Sequence, residues 1–159
     1  MNQPGSHAPS HVLGFAFDES LQQVLLLRKN RPKWAAGKVN GLGGKLEPGE
    51  LPEQAMSREF LEECGLRVPP EKWVYLGMLR GPEWSVACFA AIVPALEGAR
   101  TMEDEEVFPL PVSRFLELAQ QQPYTYADLD GSWIVSFAQR RLRQPERKPL
   151  FSVDYPSFD

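Results

Sequence analysis

The order of apolar and polar residues along the chain predicts short strands with helices between them. Runs rich in β-branched and aromatic residues, bounded by turn residues, are typical of strands. The predicted strands are His11–Phe17, Gln23–Arg28, a short extended piece at Val39–Leu42, Trp73–Arg80, Trp84–Val93, the proline-containing Glu106–Val112 and an edge strand at Leu150–Val153. The polar segment Asp18–Ser20 joins the first two runs, which predicts a hairpin.

Three segments have the spacing of amphipathic helices. The predicted helices are Pro52–Cys64, Ser113–Gln122 with Ser113 as N-cap, and Gly131–Leu142. In the first, Met56, Phe60 and Cys64 recur at i, i+4 and i+8 and form a stripe that anchors the helix to a core. Strand pairs alternating with helices predict an α+β fold, with helices packed against a mixed sheet. Residues 1–10 lack periodicity and are expected to form a flexible N-terminal arm, which leaves 11–159 as a single domain.

Composition and charge narrow the class of protein. The 159 residues are 43% hydrophobic and 24% charged, as in soluble globular proteins, and the formal net charge is −4. Extended nucleic acid is an unsuitable partner, because binding it needs a basic surface. The chain has no apolar segment long enough to cross a membrane and begins without a signal peptide, so we expect a cytoplasmic protein. Cys64 and Cys88 lie in apolar surroundings and are expected to be buried free thiols.

Three acidic residues share one side of the first predicted helix. At 100° per residue, Glu59, Glu62 and Glu63 fall within an arc of roughly 100°. Like charges about 6 Å apart repel by roughly 3 kcal/mol at an effective dielectric near 20. A solvated helix face is the ordinary explanation of such residues. A cleft that gathers them would need a hard cation such as Mg²⁺ or Mn²⁺, which suggests chemistry on a phosphate ester or anhydride.

The residues around these glutamates follow a longer pattern that favours the metal site. Gly44–Leu66 matches G-x5-E-x7-R-E-U-x-E-E-x-G-U, with U aliphatic or aromatic, at every position. The segment resembles the Nudix box, which is the sequence signature of the Nudix hydrolases. Within it, Arg58 can pair with Glu62 one helical turn later or reach back to Glu50.

Other positions of this segment have local physical reasons. Gly43 and Gly44 are expected to allow positive φ and a close approach of the backbone to phosphate or metal. Pro52 suits the first helical turn, and Gly65 suits the left-handed position that ends a helix. Leu51 stands where a polar N-cap would be expected, so the helix is predicted to begin without a good cap.

The resemblance implies a Nudix-like α/β/α sandwich with a central mixed sheet. It also implies hydrolysis of a nucleoside diphosphate linked to another group, with Mg²⁺ or Mn²⁺ as cofactor. By position in the box, Glu59, Glu62 and Glu63 would be catalytic residues and metal ligands, joined by a backbone carbonyl of Gly43 or Gly44. One of the three glutamates would alternatively act as general base through water.

Two further sets of site residues follow from the resemblance. Arg58 and Glu50 belong to the box and are counted with the catalytic residues. A further acidic ligand is expected from the downstream segment Glu103–Glu106, with Glu105 or Glu106 preferred and Glu106 taken as the metal-ligand candidate. A solvated acidic loop is the competing explanation of this segment.

The segment before the box indicates a substrate class. Asn40–Lys45 is similar to the subgroup that removes oxidised purine nucleoside triphosphates, such as 8-oxo-dGTP, from the nucleotide pool, and in which the Asn contacts the base. Lys29 matches a lysine near the substrate, and an aspartate pair before the last helix would read the purine edge. The substrate-binding candidates are Asn40, Lys29, Lys45, Asp128 and Asp130. A surface lysine and helix N-capping are the alternatives for Lys29 and for the two aspartates.

Three functions remain open from the sequence. The leading hypothesis is a metal-dependent nucleoside triphosphate pyrophosphatase that releases a nucleoside monophosphate and pyrophosphate. The second is a Nudix hydrolase of ADP-ribose, a nucleotide sugar or a dinucleotide. The third is a non-catalytic nucleotide-binding module. In each case the expected partner is a nucleotide, with no membrane and no extended nucleic acid, and the chain is expected to be a monomer or weak dimer.

Overall fold

The fold is that of a computed structural model in which residues 8–121 and 131–156 are described. In these ranges the strands are β1 His11–Phe17, β2 Gln23–Arg28, β3 Val39–Asn40, β4 Leu42–Lys45, β5 Val74–Arg80, β6 Ser85–Ile92, β7 Glu106–Pro111 and β8 Phe151–Asp154. The helices are α1 Pro52–Cys64, α2 Val112–Gln121 and α3 Gly131–Arg143, with short 3-10 turns at Pro70–Lys72 and Leu96–Gly98. Most of the predicted strands and helices are therefore confirmed, with shifts of one or two residues at several ends. The extended piece predicted at Val39–Leu42 is instead two strands, because β4 continues through Gly43 and Gly44 to Lys45.

The eight strands of the described residues form one mixed sheet. Its main order is β3-β2-β1-β6-β5-β8, while β4 pairs with β1 and β7 pairs with β2. The β1–β6 and β5–β8 pairs are parallel, and the remaining pairs are antiparallel. The predicted hairpin is confirmed, because β1 and β2 pair antiparallel with Phe17 opposite Val24.

Alternate residues of the central strands supply two separate cores. In β6, for example, Ala87 and Phe89 belong to one core, and Cys88 and Ala90 belong to the other. Helix α1 packs on the first face, and α2 and α3 pack on the second. The predicted α/β/α sandwich is confirmed, and it leaves the sheet covered on both faces.

Strand β7 forms in spite of two prolines, which had weakened the prediction of Glu106–Val112 as a strand. Pro109 and Pro111 are two residues apart, so both missing N–H groups lie on the same edge of the strand. The other edge faces β2, as the hydrogen bond from the Val112 N–H to the Gln22 carbonyl shows. Proline therefore costs this strand no hydrogen bond to its neighbour.

Two expectations are corrected or fall outside the described residues. Ser113 is not the N-cap of α2, because the helix already begins at Val112. Asp128 and Asp130 lie outside the described ranges, as do residues 1–7 of the predicted arm. Ser10, at the end of that arm, exchanges hydrogen bonds with Ser85 of β6.

Two smaller expectations concern apolar burial. The two cysteines are free and buried, as predicted. Burial raises the pKa of the Cys64 thiol to about 11 and that of Cys88 to about 12, so both thiols stay protonated at neutral pH. Among the described helices, none has the length and apolarity needed to cross a bilayer.

Candidate active site

Helix α1 presents the glutamates from a firmly anchored position. Met56, Phe60 and Cys64 are fully buried, which confirms the apolar stripe. The start of the helix has no side-chain N-cap, as expected from Leu51, and Gln54 Oε1 instead accepts the Leu51 N–H at 3.0 Å. At the other end, Gly65 adopts φ 78° and its N–H bonds to the Leu61 carbonyl.

Arg58 connects the helix to the turn that precedes it. Its Nε and Nη2 donate to the two carboxylate oxygens of Glu50 at 2.8 and 2.9 Å, and Nη2 also donates to the Lys45 carbonyl at 3.0 Å. Nη1 lies 3.0 Å from Glu59 Oε1 and 3.4 Å from Glu62 Oε2. Both pairings expected for Arg58 are present. The hydrogen bonds that Arg58 donates to Glu50 lower the pKa of Glu50. These bonds and the one donated to Glu59 raise the pKa of Arg58, so Arg58 and Glu50 both stay charged.

Glu63 is the most deeply buried of the three glutamates. Its side chain lies beneath β4, where Oε1 accepts the Gly43 N–H at 2.8 Å, and only 7% of the residue is exposed. Burial raises the pKa of Glu63 to about 8; the Gly43 hydrogen bond and the charge of Lys29 act in the opposite direction. The charge of Glu59 raises it further.

Glu59 lies against the backbone of β4. A Cβ at Gly44 would be 2.5 Å from Glu59 Cδ, so a residue larger than glycine would push this carboxylate away. Burial raises the pKa of Glu59, with Arg58 opposing the shift. Gly44 thus allows the Glu59 carboxylate to approach the backbone closely, while the expected close approach of phosphate or metal stays a prediction. The expected positive φ is wrong, because Gly43 and Gly44 both lie in the extended strand β4.

The charges of α1 are not arranged around a preformed metal-ligand cluster. Among residues 8–121 and 131–156, no three His, Cys, Asp or Glu side chains converge at metal-ligand spacing. Glu59 and Glu62 instead contact the same Arg58 nitrogen, and the Glu62 side chain is 48% exposed. Glu63 accepts a single hydrogen bond from Gly43, so most of its oxygen lone pairs remain available.

A cavity of about 390 Å³ lies beside Glu63 and Gly43–Gly44. Besides these residues it is lined by His11, Val12, Leu13, Leu27, Lys29, Pro32, Trp34, Asn40, Gly41, Trp84 and Val86. Its volume is in the range of small-molecule sites, and its wall is mostly apolar with a few polar groups. The cavity therefore combines the acidic end of α1 with a surface suited to an aromatic or sugar group.

Two of the proposed substrate-binding residues line this cavity. Asn40 of β3 is 4% exposed, and its Oδ1 accepts the Gly41 N–H at 2.8 Å. Lys29 follows β2 and donates from Nζ to Glu105 Oε1 at 2.8 Å. Lys45, the third described candidate, is exposed and does not line the cavity.

The downstream acidic segment divides among different partners. Glu105 is held by Lys29 and by the Asn30 N–H at 2.7 Å. Glu106, the predicted metal ligand, is 60% exposed and lies 3.6 Å from Arg28 Nε. Glu103 is the member of this segment whose negative charge raises the pKa of both Glu59 and Glu63.

Two tryptophans of the cavity were not predicted as site residues. Trp34 belongs to the loop between β2 and β3 and is 61% exposed, with Lys38 Nζ 5.9 Å from its ring centre. Trp84 follows the β5–β6 turn, where its indole covers Gly81 and packs 5.7 Å from the Tyr155 ring. Trp84 begins a predicted strand and Trp34 lies between two predicted strands, so their aromatic character was the only signal in the sequence.

Comparisons with known proteins match the chain to one domain family. The model of the NUDIX domain family matches residues 8–137. Over 46 residues the chain is 56% identical to the oxidized purine nucleoside triphosphate hydrolase of Danio rerio, a match covering 29% of each protein. Over 101 residues it is 32% identical to the NAD-capped RNA hydrolase NudC of Pseudomonas syringae pv. tomato, covering 58% of this chain and 36% of NudC. The chain thus spans about a third of the length of the curated relatives it matches.

A solved structure shows the same fold. The NUDIX domain of Shewanella oneidensis NrtR, crystallised with ADP ribose, superposes with a TM-score of 0.68 at 19% identity. The superposition covers 89% of this chain and 94% of that domain. At this level of identity the likeness establishes the architecture and not the substrate.

Proposed function

The chain belongs to the Nudix family, and from that premise we propose that it is a divalent-metal-dependent hydrolase that converts a nucleoside triphosphate to a nucleoside monophosphate and pyrophosphate. The observation that carries the proposal is the position of Glu63. It lies buried at the wall of a cavity that also contains Asn40 and Lys29. A buried carboxylate with a raised pKa at such a wall is characteristic of functional sites.

The acidic residues fit a hard divalent cation. Burial opposes ionisation of both Glu59 and Glu63. A bound cation would stabilise the charged carboxylates that burial disfavours. Glu62 is exposed at the same end of α1 and can join them, and the Gly43 carbonyl is the proposed backbone ligand. Mg²⁺ or Mn²⁺ at this place would neutralise phosphate oxygens and lower the pKa of a bound water.

The other residues of the box position these acids. Arg58 holds Glu59 through Nη1 while its other nitrogens hold Glu50 and the Lys45 carbonyl. These contacts fasten α1 to the segment that precedes it. The proposed role of Arg58 and Glu50 is therefore to orient the acidic residues, and a fixed orientation of the reacting groups contributes a large part of the rate of such reactions.

The cavity supports a nucleoside as the bound group. Asn40 has donor and acceptor capacity, and its Nδ2 has no hydrogen-bond partner among the described residues. Trp34 and Trp84 add aromatic surface on which a base can stack. Lys29 supplies a positive charge near Glu63, although Glu105 already pairs with it. The similarity to the Danio rerio enzyme favours an oxidised purine such as 8-oxo-dGTP.

A product panel with Mg²⁺ and Mn²⁺ tests this proposal. We expect pyrophosphate and a nucleoside monophosphate from 8-oxo-dGTP or dGTP, and loss of that turnover in Glu59→Gln. Glu53→Gln, a change in the first turn of the same helix, is the matched control and should keep the activity. Release of AMP from ADP-ribose without turnover of any triphosphate would replace the proposed substrate class.

The second candidate function is hydrolysis of a dinucleotide or ADP-ribose-like substrate. It is favoured by the likeness to NudC, whose name specifies NAD-capped RNA, and by the fold shared with NrtR in complex with ADP ribose. The same panel separates the two, because the substrates release different products. Nucleotide binding without product under either metal would support a non-catalytic module instead.

A further inference from the structure

A second cavity, of about 210 Å³, lies at the C-terminal end of α3 and is rich in arginine. Its lining residues are Phe137, Arg140, Arg141, Gln144, Arg147 and Pro149. The first four recur at helical spacing and lie along one side of the end of α3. The chain then turns back, with the Arg147 N–H bonded to the Gln144 carbonyl at 3.0 Å, and closes the other side of the cavity.

Among the described residues, the three guanidinium groups of this cavity have no negative partner. No carboxylate lines the cavity, and Arg140, Arg141 and Arg147 make no salt bridge to any residue in the described ranges. Glu146 is next to Arg147 in sequence but is exposed and outside the cavity. The concentration of positive charge is unusual in a chain whose formal net charge is −4.

One nitrogen of the Arg141 side chain is buried without a partner. Its Nε is inaccessible to solvent and has no hydrogen-bond partner among the described residues. Buried donors of a charged group are normally satisfied, because leaving one unpaired is unfavourable. The helix C-terminus attracts cations, but its partial charge of about half a unit balances at most one of the three arginines.

We propose that this arginine cavity at the C-terminal end of α3 binds a small phosphate-bearing anion such as orthophosphate or pyrophosphate. The planar guanidinium fork matches phosphate oxygens in pairs, and three such groups would be satisfied together by one phosphate-bearing ligand. At about 30 Å³ per water molecule, 210 Å³ corresponds to roughly seven waters. This space suits one or two phosphoryl groups and is below the usual size of a site for a whole nucleotide.

The arginine cavity is separate from the candidate active site. Within the described part of the chain the two cavities share no lining residue, and α3 packs on the face of the sheet opposite α1. The inference therefore does not depend on which substrate the active site hydrolyses. A chain without catalytic activity would be expected to bind the anion equally well.

Isothermal titration of the full chain with sodium pyrophosphate and with sodium phosphate tests the inference. EDTA is present, so that the glutamates of α1 hold no cation and repel anions. We expect saturable binding of at least one anion to a single site. The ratio of the two affinities then shows whether one or two phosphoryl groups are recognised.

Matched arginine variants locate the site. Arg140→Gln combined with Arg147→Gln is expected to weaken binding by about tenfold or more, as loss of charge-assisted hydrogen bonds should. Both positions are exposed, so the fold should survive their replacement. Arg143→Gln removes the same charge from the same helix but does not line the cavity, and it should change the affinity by less than about twofold.

Three results would overturn the inference. They are the absence of saturable binding at millimolar anion, an equal loss of affinity in Arg143→Gln, and displacement of the anion by a single-stranded oligonucleotide that binds more tightly. The second would mean diffuse surface charge, and the third would mean a nucleic-acid surface. A normal circular dichroism spectrum and melting curve of each variant exclude unfolding as the cause of lost binding.

Discussion

Replacing the buried Glu63 with glutamine should stabilise the metal-free protein while it removes activity. The wild-type carboxyl has a pKa of about 8 in the fold against an ordinary value of 4.5. At pH 7 the unfolded chain is ionised at this residue and the folded chain is mostly protonated. Since pH 7 is 2.5 units above the ordinary pKa of this carboxyl, keeping it protonated in the fold costs about 3 kcal/mol. Glutamine has no such cost, and its Oε1 can still accept the Gly43 N–H.

The pH dependence gives this prediction its sign. A carboxyl whose pKa is raised by folding favours the folded state below its unfolded pKa of 4.5 and loses that advantage as the pH rises to about 8. Near pH 4.5 the free energies of unfolding of Glu63→Gln and of the wild type should therefore differ only by a constant that does not depend on the carboxyl proton. The advantage of the variant should then grow with pH and level off near pH 8.

Urea unfolding in EDTA at several pH values between these limits is the appropriate assay. The difference of about 3 kcal/mol expected at pH 7 corresponds to a rise in Tm of roughly 6–12 °C for a domain of this size. Added Mg²⁺ should stabilise the wild type and have less effect on the variant, because ligand binding stabilises only a protein that holds the ion. Glu53→Gln, near the start of the same helix, is the control and should follow the wild type.

A Glu63→Gln protein that is no more stable than the wild type in EDTA at pH 7 and above would contradict this prediction. A stability difference that does not change with pH would refute it as well, since it would show that the carboxyl proton is not responsible. Full turnover by the variant would remove Glu63 from the proposed metal ligands.

Three further predictions follow from the site. Arg58→Lys retains the positive charge but loses the two-point contact with Glu50. The free energy of unfolding should therefore fall by about 1–3 kcal/mol, and kcat should fall in a Mg²⁺ assay. Wild-type values for both would contradict the positioning role of Arg58. Glu103→Gln should raise the Mg²⁺ concentration needed for half-maximal rate more than Glu106→Gln does, because the charge of Glu103 acts on Glu59 and Glu63. The opposite order would support Glu106, the metal ligand predicted from the sequence. Trp84→Ala should raise KM for a nucleoside triphosphate by about tenfold with little change in kcat, because the base loses its stacking partner. An unchanged KM would exclude stacking of the base on Trp84.

The sequence alone determined the features that depend on short spacing. The bounds of α1, its buried stripe at Met56, Phe60 and Cys64, and its left-handed end at Gly65 were all predictable. Each depends on residues within a few positions of one another, where helical geometry leaves little choice. The periodicity by itself predicted only helices packed on a mixed sheet. The complete Nudix box added the family and, through the family, the α/β/α architecture.

Only the tertiary structure decided how the three glutamates differ. Glu62 and Glu63 are neighbours in sequence, yet Glu62 is half exposed and Glu63 is buried beneath Gly43. The difference arises because β4 packs across one side of α1, a contact between segments about 20 residues apart that no local pattern specifies. The raised pKa of Glu63 is a consequence of that packing.

The partners of the remaining charged and aromatic residues were also decided in three dimensions. Lys29 was expected near the substrate, and it does line the cavity, but Glu105 holds it from 76 residues away. Trp84 reaches the same cavity because the β5–β6 turn lies beside β1, and Tyr155, just after β8, packs against it. Such contacts depend on the order and register of the strands, which are set by burial across the whole sheet. Spacing along the chain determines only the individual strands and helices.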